Sequence, residues 1–179
     1  MYYTSIYPSP VGTLALACDD KGLVGLWLDG QKYHGDGVPG PLQTKDDEPL
    51  LVAAKQWLDE YFAGGNPQIS SLPLAPIGSA FRQGVWELLC EIPYGEVTTY
   101  GALARQMEVR MNKPKMACQA VGGAVGHNPI SIIIPCHRVV GTNGSLTGYG
   151  GGIQRKIQLL ELEGVDMSQY FVPTKGTAL

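Results

Sequence analysis

Apolar residues in the first 28 positions fall into three short runs separated by turn-forming residues. The runs YYTSIY, TLALAC and LVGLWL are rich in aromatic, threonine and aliphatic residues, and PSPVG and DDKG stand between them. Runs of this length, bounded by Pro, Gly and Asp, are typical of β-strands joined by tight turns. The pattern therefore predicts a meander of three strands over residues 2–28.

The period changes to helical after a polar segment at 29–47, which we expect to be a loop. Over residues 48–63 the apolar positions recur at helical spacing: Leu50, Ala54, Trp57, Leu58 and Tyr61. Acidic residues precede this segment and two glycines follow it, as expected for the ends of a helix. Residues 64–78 contain three prolines and no periodicity, which predicts a linker.

The second half of the chain is mostly helical in pattern. Ser79 and Thr99 are predicted N-caps of two helices, and a third helix, KMACQAVGGAVG, ends at Asn128-Pro129. The apolar run ISIII predicts a strand that leads into Cys136. A glycine-rich loop or hairpin, GTNGSLTGYGGG, and a final helix, IQRKIQLLELE, follow it. Strands early and helices late together predict an α+β protein.

The composition argues against several classes of protein. The 179 residues are 44% hydrophobic and 16% charged, which is enough apolar content for a sizeable core. No stretch resembles a signal peptide or a membrane span, and the four widely spaced cysteines show no CxxC pairing. We therefore expect a cytoplasmic protein with no membrane contact, no disulfide framework and no metal site.

Charge is unevenly distributed along the chain, although the net charge is only −3. Residues 1–99 hold five Lys/Arg and twelve Asp/Glu, whereas residues 100–160 hold seven Lys/Arg and a single acid, Glu108. An acidic half joined to a basic half favours one face made for a polyanion. A surface that is merely uneven explains the same numbers equally well.

Two short helices joined by a turn, the second built from small residues, resemble a helix-turn-helix. A helix without bulky side chains can lie close to another backbone, either a helix in the core or the sugar-phosphate wall of DNA. Tight core packing is the more common explanation in general. The flanking basic residues Arg110, Lys113 and Lys115 favour DNA.

Cys136 has the neighbours of a reactive thiol. A cysteine nucleophile needs a thiolate, and His137 is an adjacent candidate base. Adjacent residues on a strand point to opposite faces, so a turn at Pro135 or a bridging water is needed to bring them together. Glu163 lies at the negative end of the last helix and is better placed if it has a partner, such as an imidazole. A buried core cysteine is the alternative, and it is our interpretation of the other three: Cys18, Cys90 and Cys118.

Three stretches, IPYGEVTTYGALA, QAVGGAVGHNPISIIIPCHRVVG and GYGGGIQRKIQLLELEG, resemble the O6-alkylguanine-DNA alkyltransferases in order and spacing. The match covers about residues 77–165, and PCHRV after Asn-Pro is highly specific. The resemblance implies a ribonuclease-H-like domain at 1–76, with a small antiparallel sheet and a helix. It implies a mostly helical, winged helix-turn-helix-like domain at 77–179 that binds DNA and transfers the alkyl group.

The resemblance also implies direct-reversal DNA repair, the methylated-DNA–protein-cysteine methyltransferase activity, performed once per molecule without a cofactor. Cys136 would accept an alkyl group from O6 of guanine, His137 would act as base through a water, and Glu163 would hold His137. Asn128 would join the recognition helix to the active-site strand, and Tyr100 would assist the leaving guanine. The expected partner is double-stranded DNA containing O6-alkylguanine, bound by a monomer in the minor groove with the base flipped out.

Substrate and DNA contacts follow from the same resemblance. The pocket residues would be Tyr100, Val139, Tyr149, Gly150 and Thr147. The carbonyls of Cys136 and Val139 would accept from the guanine amino group, and the N–H of Gly150 would meet O6. The recognition helix and its basic flank would supply the DNA-binding residues: Gln119, Ala120, Gly122, Gly123, Lys113 and Lys115. Arg138 is read as a structural residue that bridges the two domains.

Two positions depart from the family pattern. Gln119 stands where the family often has an arginine finger that fills the gap left by the flipped base, so base flipping or DNA binding would be weaker. Thr147 stands where some relatives have glycine, so bulky adducts such as benzyl would be excluded. Both consequences are hypotheses.

Three other functions fit the sequence less well. A non-catalytic sensor of alkylation damage would lack the acceptor cysteine, which this chain retains. A regulator that transfers methyl groups would need a further metal-thiolate domain, for which the chain is too short. A Cys-His hydrolase would need an oxyanion hole and repeated turnover, and it would leave the basic half of the chain unexplained.

Overall fold

The computed structural model describes residues 1–174, which form two compact units. The first unit is Met1–Gly78 together with Pro129–Ile133, and the second is Ser79–Asn128 together with the described residues from Ile134 to 174. The sequence predicted a single domain boundary between residues 76 and 77. It did not predict that Pro129–Ile133 would belong to the first unit. The end of the predicted second domain, residues 175–179, lies outside the described residues.

The first unit contains a four-stranded sheet in the order β3-β2-β1-β4. The strands are β1 (Tyr2–Ser9), β2 (Gly12–Cys18), β3 (Leu23–Leu28) and β4 (Leu42–Thr44). β1, β2 and β3 form the predicted meander, in which each neighbouring pair is antiparallel. Every residue of β3 is buried, so this strand lies in the core of the unit.

The predicted small antiparallel sheet is present as β1, β2 and β3, and a fourth strand makes the sheet mixed. β4 lies inside the segment predicted to be a loop, and it pairs with β1 in parallel. β3 runs in the same direction as β1, so the connection after it must cross back over the sheet to add a parallel strand. All three residues of β4 are exposed, and such a short, fully exposed strand has no apolar alternation that would reveal it.

The first helix, α1 (Pro49–Phe62), packs on this sheet. Its buried residues are Leu51, Ala54, Trp57, Leu58 and Tyr61, so Leu51 takes the core position predicted for Leu50.

The segment predicted to be a linker, residues 64–78, is part of the first unit. The Trp57 indole donates to the Gln68 carbonyl at 2.9 Å, and Leu23 of β3 exchanges backbone hydrogen bonds with Pro73 and Ala75. The prolines of residues 64–78 interrupt any helix or strand periodicity, but the segment still forms hydrogen bonds with α1 and β3.

The apolar run ISIII, residues 130–134, is not a strand as predicted. Ile130 makes one isolated bridge with Leu26, and the residues after it form turns in which Ile132 has a φ of 72°. All four isoleucines of the run are buried. The β-branched residues correctly predicted burial, but tertiary packing rather than strand pairing covers them.

The described part of the second unit contains four α-helices and one pair of very short strands. The helices are α2 (Ala80–Cys90), α3 (Tyr100–Met111), α4 (Cys118–Gly126) and α5 (Ile153–Leu162). The strands β5 (Thr98–Thr99) and β6 (Val139–Val140) pair in parallel. The predicted caps are confirmed: Ser79 accepts from the Arg82 N–H, and Thr99 accepts from the Ala102 N–H at 3.1 Å. No helix within residues 1–174 is long and apolar enough to cross a membrane.

The small residues of α4 serve two faces. Val121, Ala124 and Val125 are buried, and the Trp86 indole of α2 donates to the Ala124 carbonyl at 2.8 Å. The other face, which begins with Cys118 and Gln119, is exposed. Close packing on α2 therefore explains the small residues of one face, while contact of the exposed face with DNA stays a prediction.

Candidate active site

Cys136 opens a single helical turn, Cys136–Arg138, that directly follows Pro135. Its N–H donates to the Ile134 carbonyl at 2.8 Å, and only 7% of the residue is exposed. Burial raises the pKa of the thiol, while a hydrogen bond from the Asn128 side chain and the charge of Lys156 act in the opposite direction. The side chain of Cys136 is therefore shielded from solvent, and its burial opposes ionisation of the thiol.

Asn128 links the end of α4 to the turn that carries Cys136. Its side-chain amide donates to the Ile134 carbonyl at 2.8 Å, in addition to its contact with the thiol. Asn128 itself is buried. The sequence placed Asn128 between a helix and a strand. The structure places it between a helix and a turn, because residues 131–134 do not form a strand.

His137 and Glu163 form a buried pair. The imidazole Nε2 lies 2.6 Å from Glu163 Oε2, and both side chains are fully inaccessible to solvent. Burial lowers the pKa of His137, although Glu163 acts to raise it. The second ring nitrogen, Nδ1, is also buried and has no hydrogen-bond partner among residues 1–174. With Nε2–H directed at the carboxylate, Nδ1 is the nitrogen that can accept a proton.

Glu163 follows the last residue of α5 and is more heavily bonded than the sequence suggested. It accepts from His137, from the Arg138 guanidinium and from the Gly95 N–H. Burial by itself raises the pKa of the carboxyl, but the hydrogen bonds from His137 and Arg138 and the positive charge beside it outweigh burial and hold the pKa at about 2. Glu163 is therefore a carboxylate throughout the physiological pH range.

Because of this low pKa, we predict that the free energy of unfolding depends on pH in the acidic range. The ordinary value for the carboxyl is 4.5, so the contribution of Glu163 is complete above that pH and is lost as the pH falls toward about 2. Full loss corresponds to about 3 kcal/mol in the free energy of unfolding. Urea unfolding between pH 5 and pH 2 measures this loss. The Glu163→Gln variant is expected to lose less stability over the interval than the wild type, whereas Glu161→Gln, an exposed carboxylate at the same helix end, should lose as much.

Arg138, which the sequence suggested was structural, makes its hydrogen bonds to the backbone and to Glu163. Its Nε and Nη2 donate to the two oxygens of Glu163 at 2.7 and 3.2 Å, and its Nη1 donates to the Ile92 carbonyl at 2.7 Å. All of these partners belong to the second compact unit. The guanidinium and the His137 imidazole thus share the Glu163 carboxylate. The adjacent positions of His137 and Arg138 in the sequence did not reveal this shared partner.

Lys156 is a site residue that the sequence reading missed. Its ammonium group is completely buried and donates to the carbonyls of Val139 and Thr147, the latter at 2.9 Å. Burial lowers its pKa to about 8, and interaction with Cys136 raises it in part. Lys156 lies three and four residues before the buried Leu159 and Leu160, so its position on the apolar face of α5 was a usable signal.

The glycine-rich loop after β6 carries Thr147, Tyr149 and Gly150, which were predicted to line the pocket together with Tyr100 of α3. Tyr100, the first residue of α3, donates its hydroxyl to the Thr147 carbonyl at 3.1 Å. Burial and the proximity of Cys136 raise the pKa of Tyr100, so its hydroxyl keeps its proton. Tyr149 is also buried, and its hydroxyl has no hydrogen-bond partner among the described residues. Gly150 is half-buried beside it.

Gly148 is a second residue that the sequence reading did not single out. Its φ is 89°, and a Cβ at this position would lie 2.3 Å from the hydroxyl oxygen of Tyr100. The loop therefore passes Tyr100 at a distance that only glycine allows. The glycines of GTNGSLTGYGGG were visible in the sequence, but nothing local identified the one that touches Tyr100.

The predicted DNA-binding residues lie on one exposed stretch. Gln119, Ala120 and Gly123 on α4 are exposed and Gly122 is half-buried, while Lys113 and Lys115 are exposed in the connection from α3. Cys118 is exposed at the start of α4, so its interpretation as a structural cysteine is wrong. Helix α4 buries Val121 and Val125, and its first turn is exposed to solvent.

Comparison with known proteins identifies the family. A family model described as 6-O-methylguanine DNA methyltransferase, DNA binding domain, matches residues 80–165. A second, its ribonuclease-like domain, matches residues 1–76. The methylated-DNA–protein-cysteine methyltransferase of Haemophilus influenzae is 46% identical over 164 residues, which cover 91% of this chain and 86% of that protein. The chain belongs to the methylated-DNA–protein-cysteine methyltransferase family.

Further members of this family agree in sequence and in structure. The methyltransferase of Methanosarcina acetivorans is 43% identical and matches 92% of this chain and 99% of its own length. A crystal structure of the Mycobacterium tuberculosis OGT in complex with DNA superposes with a TM-score of 0.75 at 41% identity, covering 94% of each chain. The α+β fold with its ribonuclease-like and DNA-binding parts is therefore that of the methyltransferase family.

Proposed function

We propose that this protein repairs alkylated DNA by direct reversal. Cys136 takes the alkyl group from O6 of guanine in duplex DNA and keeps it as a thioether, so each molecule acts once. The observation that carries the proposal is the shielded thiol of Cys136 beside a buried His137–Glu163 pair, in a chain 46% identical to a methylated-DNA–protein-cysteine methyltransferase. The structural likeness to a family member in complex with DNA supports duplex DNA as the partner.

The transfer is a displacement at the alkyl carbon. Cys136 Sγ forms a bond to that carbon while the bond from the carbon to guanine O6 breaks. The thiol proton passes to His137 Nδ1, directly or through a water, and Glu163 stabilises the imidazolium that forms. The leaving guanine needs a proton or a hydrogen bond, and the Tyr100 hydroxyl supplies it. The product is a thioether, which is a poor leaving group, so the thiol is not regenerated.

The backbone around Cys136 supplies the recognition of guanine. We assign the carbonyls of Cys136 and Val139 to the exocyclic amino group and the N–H of Gly150 to O6. The Val139 carbonyl already accepts from Lys156, and a carbonyl oxygen has a second lone pair for the base. Lys156 thereby orients a carbonyl that the substrate uses. Tyr149 forms a wall of the pocket, and Thr147 narrows it.

Binding to DNA precedes this chemistry. The reacting carbon cannot be reached in line within a duplex, so the nucleotide must be flipped out. The exposed face of α4 carries small residues, which suits entry into a narrow minor groove. The exposed Lys113 and Lys115 would contact phosphates. We assign binding to a monomer. We also propose a cytoplasmic location, which the four free cysteines support.

The experiment that tests the proposal is an intact-mass measurement. The protein is incubated with a duplex containing a single O6-methylguanine and, in parallel, with the same duplex containing guanine. A gain of one methyl group per protein, found in the peptide that contains Cys136, is the expected result. Repair of several equivalents of DNA without a protein adduct would contradict the proposal and would favour a hydrolase. DNA binding without any adduct would favour a damage sensor.

Gln119 provides a separate prediction about base flipping. A Gln119→Arg substitution adds a charge at the exposed start of α4, and a guanidinium can fill the gap left by the flipped base better than an amide can. We expect tighter binding to duplex DNA and a slope of log affinity against log salt that is steeper by about 1. Fluorescence anisotropy over a salt series measures both quantities. Gln106→Arg on the exposed part of α3 is the charge-matched control, and an effect as large there would contradict a specific role for position 119.

A further inference from the structure

Glu108 is the single acidic residue between positions 100 and 160, a stretch that also holds seven Lys/Arg. It lies in the last turn of α3, which ends at Met111. A carboxylate beside a surface that binds phosphates repels them and so weakens binding. Any favourable effect of Glu108 on DNA binding must therefore come from the contacts that it makes within the protein.

Glu108 binds both ends of the connection from α3 to α4. Its backbone carbonyl accepts from the Lys113 N–H at 3.0 Å, and its carboxylate accepts from the Met116 N–H at 2.9 Å. Pro114, which lies between them, has a restricted φ and no N–H. The two lysines predicted to contact phosphates, Lys113 and Lys115, thus lie in a short segment that one residue closes at both ends.

The hydrogen bond to Met116 is the contact that the carboxylate makes in place of an ion pair. Among residues 1–174, no lysine, arginine or histidine lies within ion-pair distance of Glu108. Glu108 and Met116 are both half-buried, so water competes less for this hydrogen bond than it would at a fully exposed position. The chain reaches this geometry by reversing at Asn112, which ends α3 with a left-handed φ of 51°.

Helix α4 has no capping side chain of its own. The two preceding helices begin at Ser79 and Thr99, whose hydroxyls accept from the first turn, whereas α4 begins at Ala117, which has no polar side chain. The N–H that Glu108 binds belongs to the residue directly before Ala117. A negative charge near the N-terminus of a helix also stabilises it. Glu108 therefore fixes the start of α4 from the preceding helix.

Other contacts hold α3 and the later part of α4. Arg110 Nη1 donates to the Gly84 carbonyl at 3.0 Å and to Glu87 Oε2 at 2.7 Å, and both acceptors lie on α2. The Trp86 indole of α2 binds the Ala124 carbonyl near the end of α4. Loss of the Glu108 side chain should consequently free the connection and the first turn of α4 while the rest of the three helices stays in place.

We propose that Glu108 is a positioning residue for DNA binding, which holds Lys113, Lys115 and the first turn of α4 in the arrangement that contacts the duplex. The proposal rests on the proposed function, in which this surface binds DNA. It predicts an effect opposite in sign to that of charge. Removing an acid tightens binding to a polyanion if charge alone matters, whereas loss of positioning weakens it.

Three substitutions separate charge from reach. Glu108→Gln loses the charge and keeps an acceptor oxygen at the same reach, Glu108→Asp keeps the charge but is shorter by one methylene, and Glu108→Ala loses both. Fluorescence anisotropy with a duplex measures the dissociation constant. We expect the Ala and Asp variants to bind about tenfold more weakly than the wild type, and the Gln variant to bind at least as tightly as the wild type.

The rate of methyl transfer at saturating DNA should stay near that of the wild type in all three variants, because the contacts of Cys136 and Asn128 are not changed. Glu161→Ala, which removes an exposed carboxylate from α5, is the control for loss of negative charge and should not weaken binding. A Glu108→Ala protein that binds DNA as tightly as the wild type overturns the proposal. So does an Asp variant that binds like the wild type while the Gln variant binds more weakly.

Hydrogen exchange tests the same contact without DNA. The Met116 N–H should exchange about tenfold faster in the Ala and Asp variants and keep its protection in the Gln variant. Equal exchange in Glu108→Ala and in the wild type overturns the positioning role, whatever the DNA affinity. A wild-type protein that bound no duplex DNA would count against the proposed function, and the exchange rates would still decide whether Glu108 holds the connection.

Discussion

Replacing Cys136 with alanine is expected to abolish the gain of a methyl group completely while leaving binding to duplex DNA intact. In the proposed reaction this sulfur forms the bond to the alkyl carbon, and the other proposed site residues carry no thiol, so none of them can substitute for it. The side chain is small and buried, and alanine leaves only a small gap with a modest loss of stability. Intact mass and fluorescence anisotropy on the same O6-methylguanine duplex measure the two properties together.

Cys118→Ser is the matched control for this experiment. Cys118 is the exposed cysteine at the start of α4, so its replacement tests loss of a thiol on the predicted DNA face. The Cys118→Ser protein should acquire one methyl group, as the wild type does. If Cys136→Ala still gained a methyl group, or if Cys118→Ser did not, the assignment of Cys136 as the acceptor would be wrong.

Gly148→Ala is expected to slow methyl transfer by about a hundredfold, because it displaces the Tyr100 hydroxyl. The added Cβ would lie 2.3 Å from that oxygen, which is far inside van der Waals contact, so either the phenol or the loop must move. The Tyr100 hydroxyl now donates to the Thr147 carbonyl, and a shift of either group breaks that bond. Single-turnover transfer rates at saturating DNA measure the effect on the chemical step.

Backbone strain and steric displacement can be separated in this test. Gly64→Ala places an alanine at a φ of 90°, almost the same as the 89° of Gly148, but with no atom within 4 Å of the added Cβ. Both variants should lose about 1–2 kcal/mol of stability from the left-handed backbone conformation. Only Gly148→Ala should lose transfer rate. The Tyr100→Phe variant should show a similar rate loss, and a Gly148→Ala protein with the wild-type rate would show that the loop absorbs the clash.

The features that the sequence predicted correctly depend on residues close together in the chain. Ser79 and Thr99 cap their helices because a hydroxyl at the N-cap reaches an N–H three residues later, which needs no information from elsewhere. The three-strand meander likewise follows from runs joined by tight turns. The motif around Cys136 is local in the same sense, and it identified a candidate nucleophile before any contact was known.

The features that the sequence did not predict depend on contacts between distant segments. β4 joins the sheet by pairing with β1 about 40 residues earlier, and nothing in three exposed residues specifies that register. The isoleucines before Cys136 have strand propensity, yet the chain turns there because packing buries them from all sides. Because the chain turns there, Asn128 is not followed by a strand. Its side-chain amide instead donates to the Ile134 carbonyl, two residues before Cys136.

The sequence by itself therefore determined the family resemblance, the secondary elements with local signals and the identity of the thiol. The tertiary structure alone decided the electrostatics around that thiol. Arg138 meets Ile92 and Glu163 across 46 and 25 residues, and Lys156 meets Val139 across 17. Charges in a buried site act through distance and desolvation, and both are properties of the folded chain rather than of neighbouring letters in the sequence.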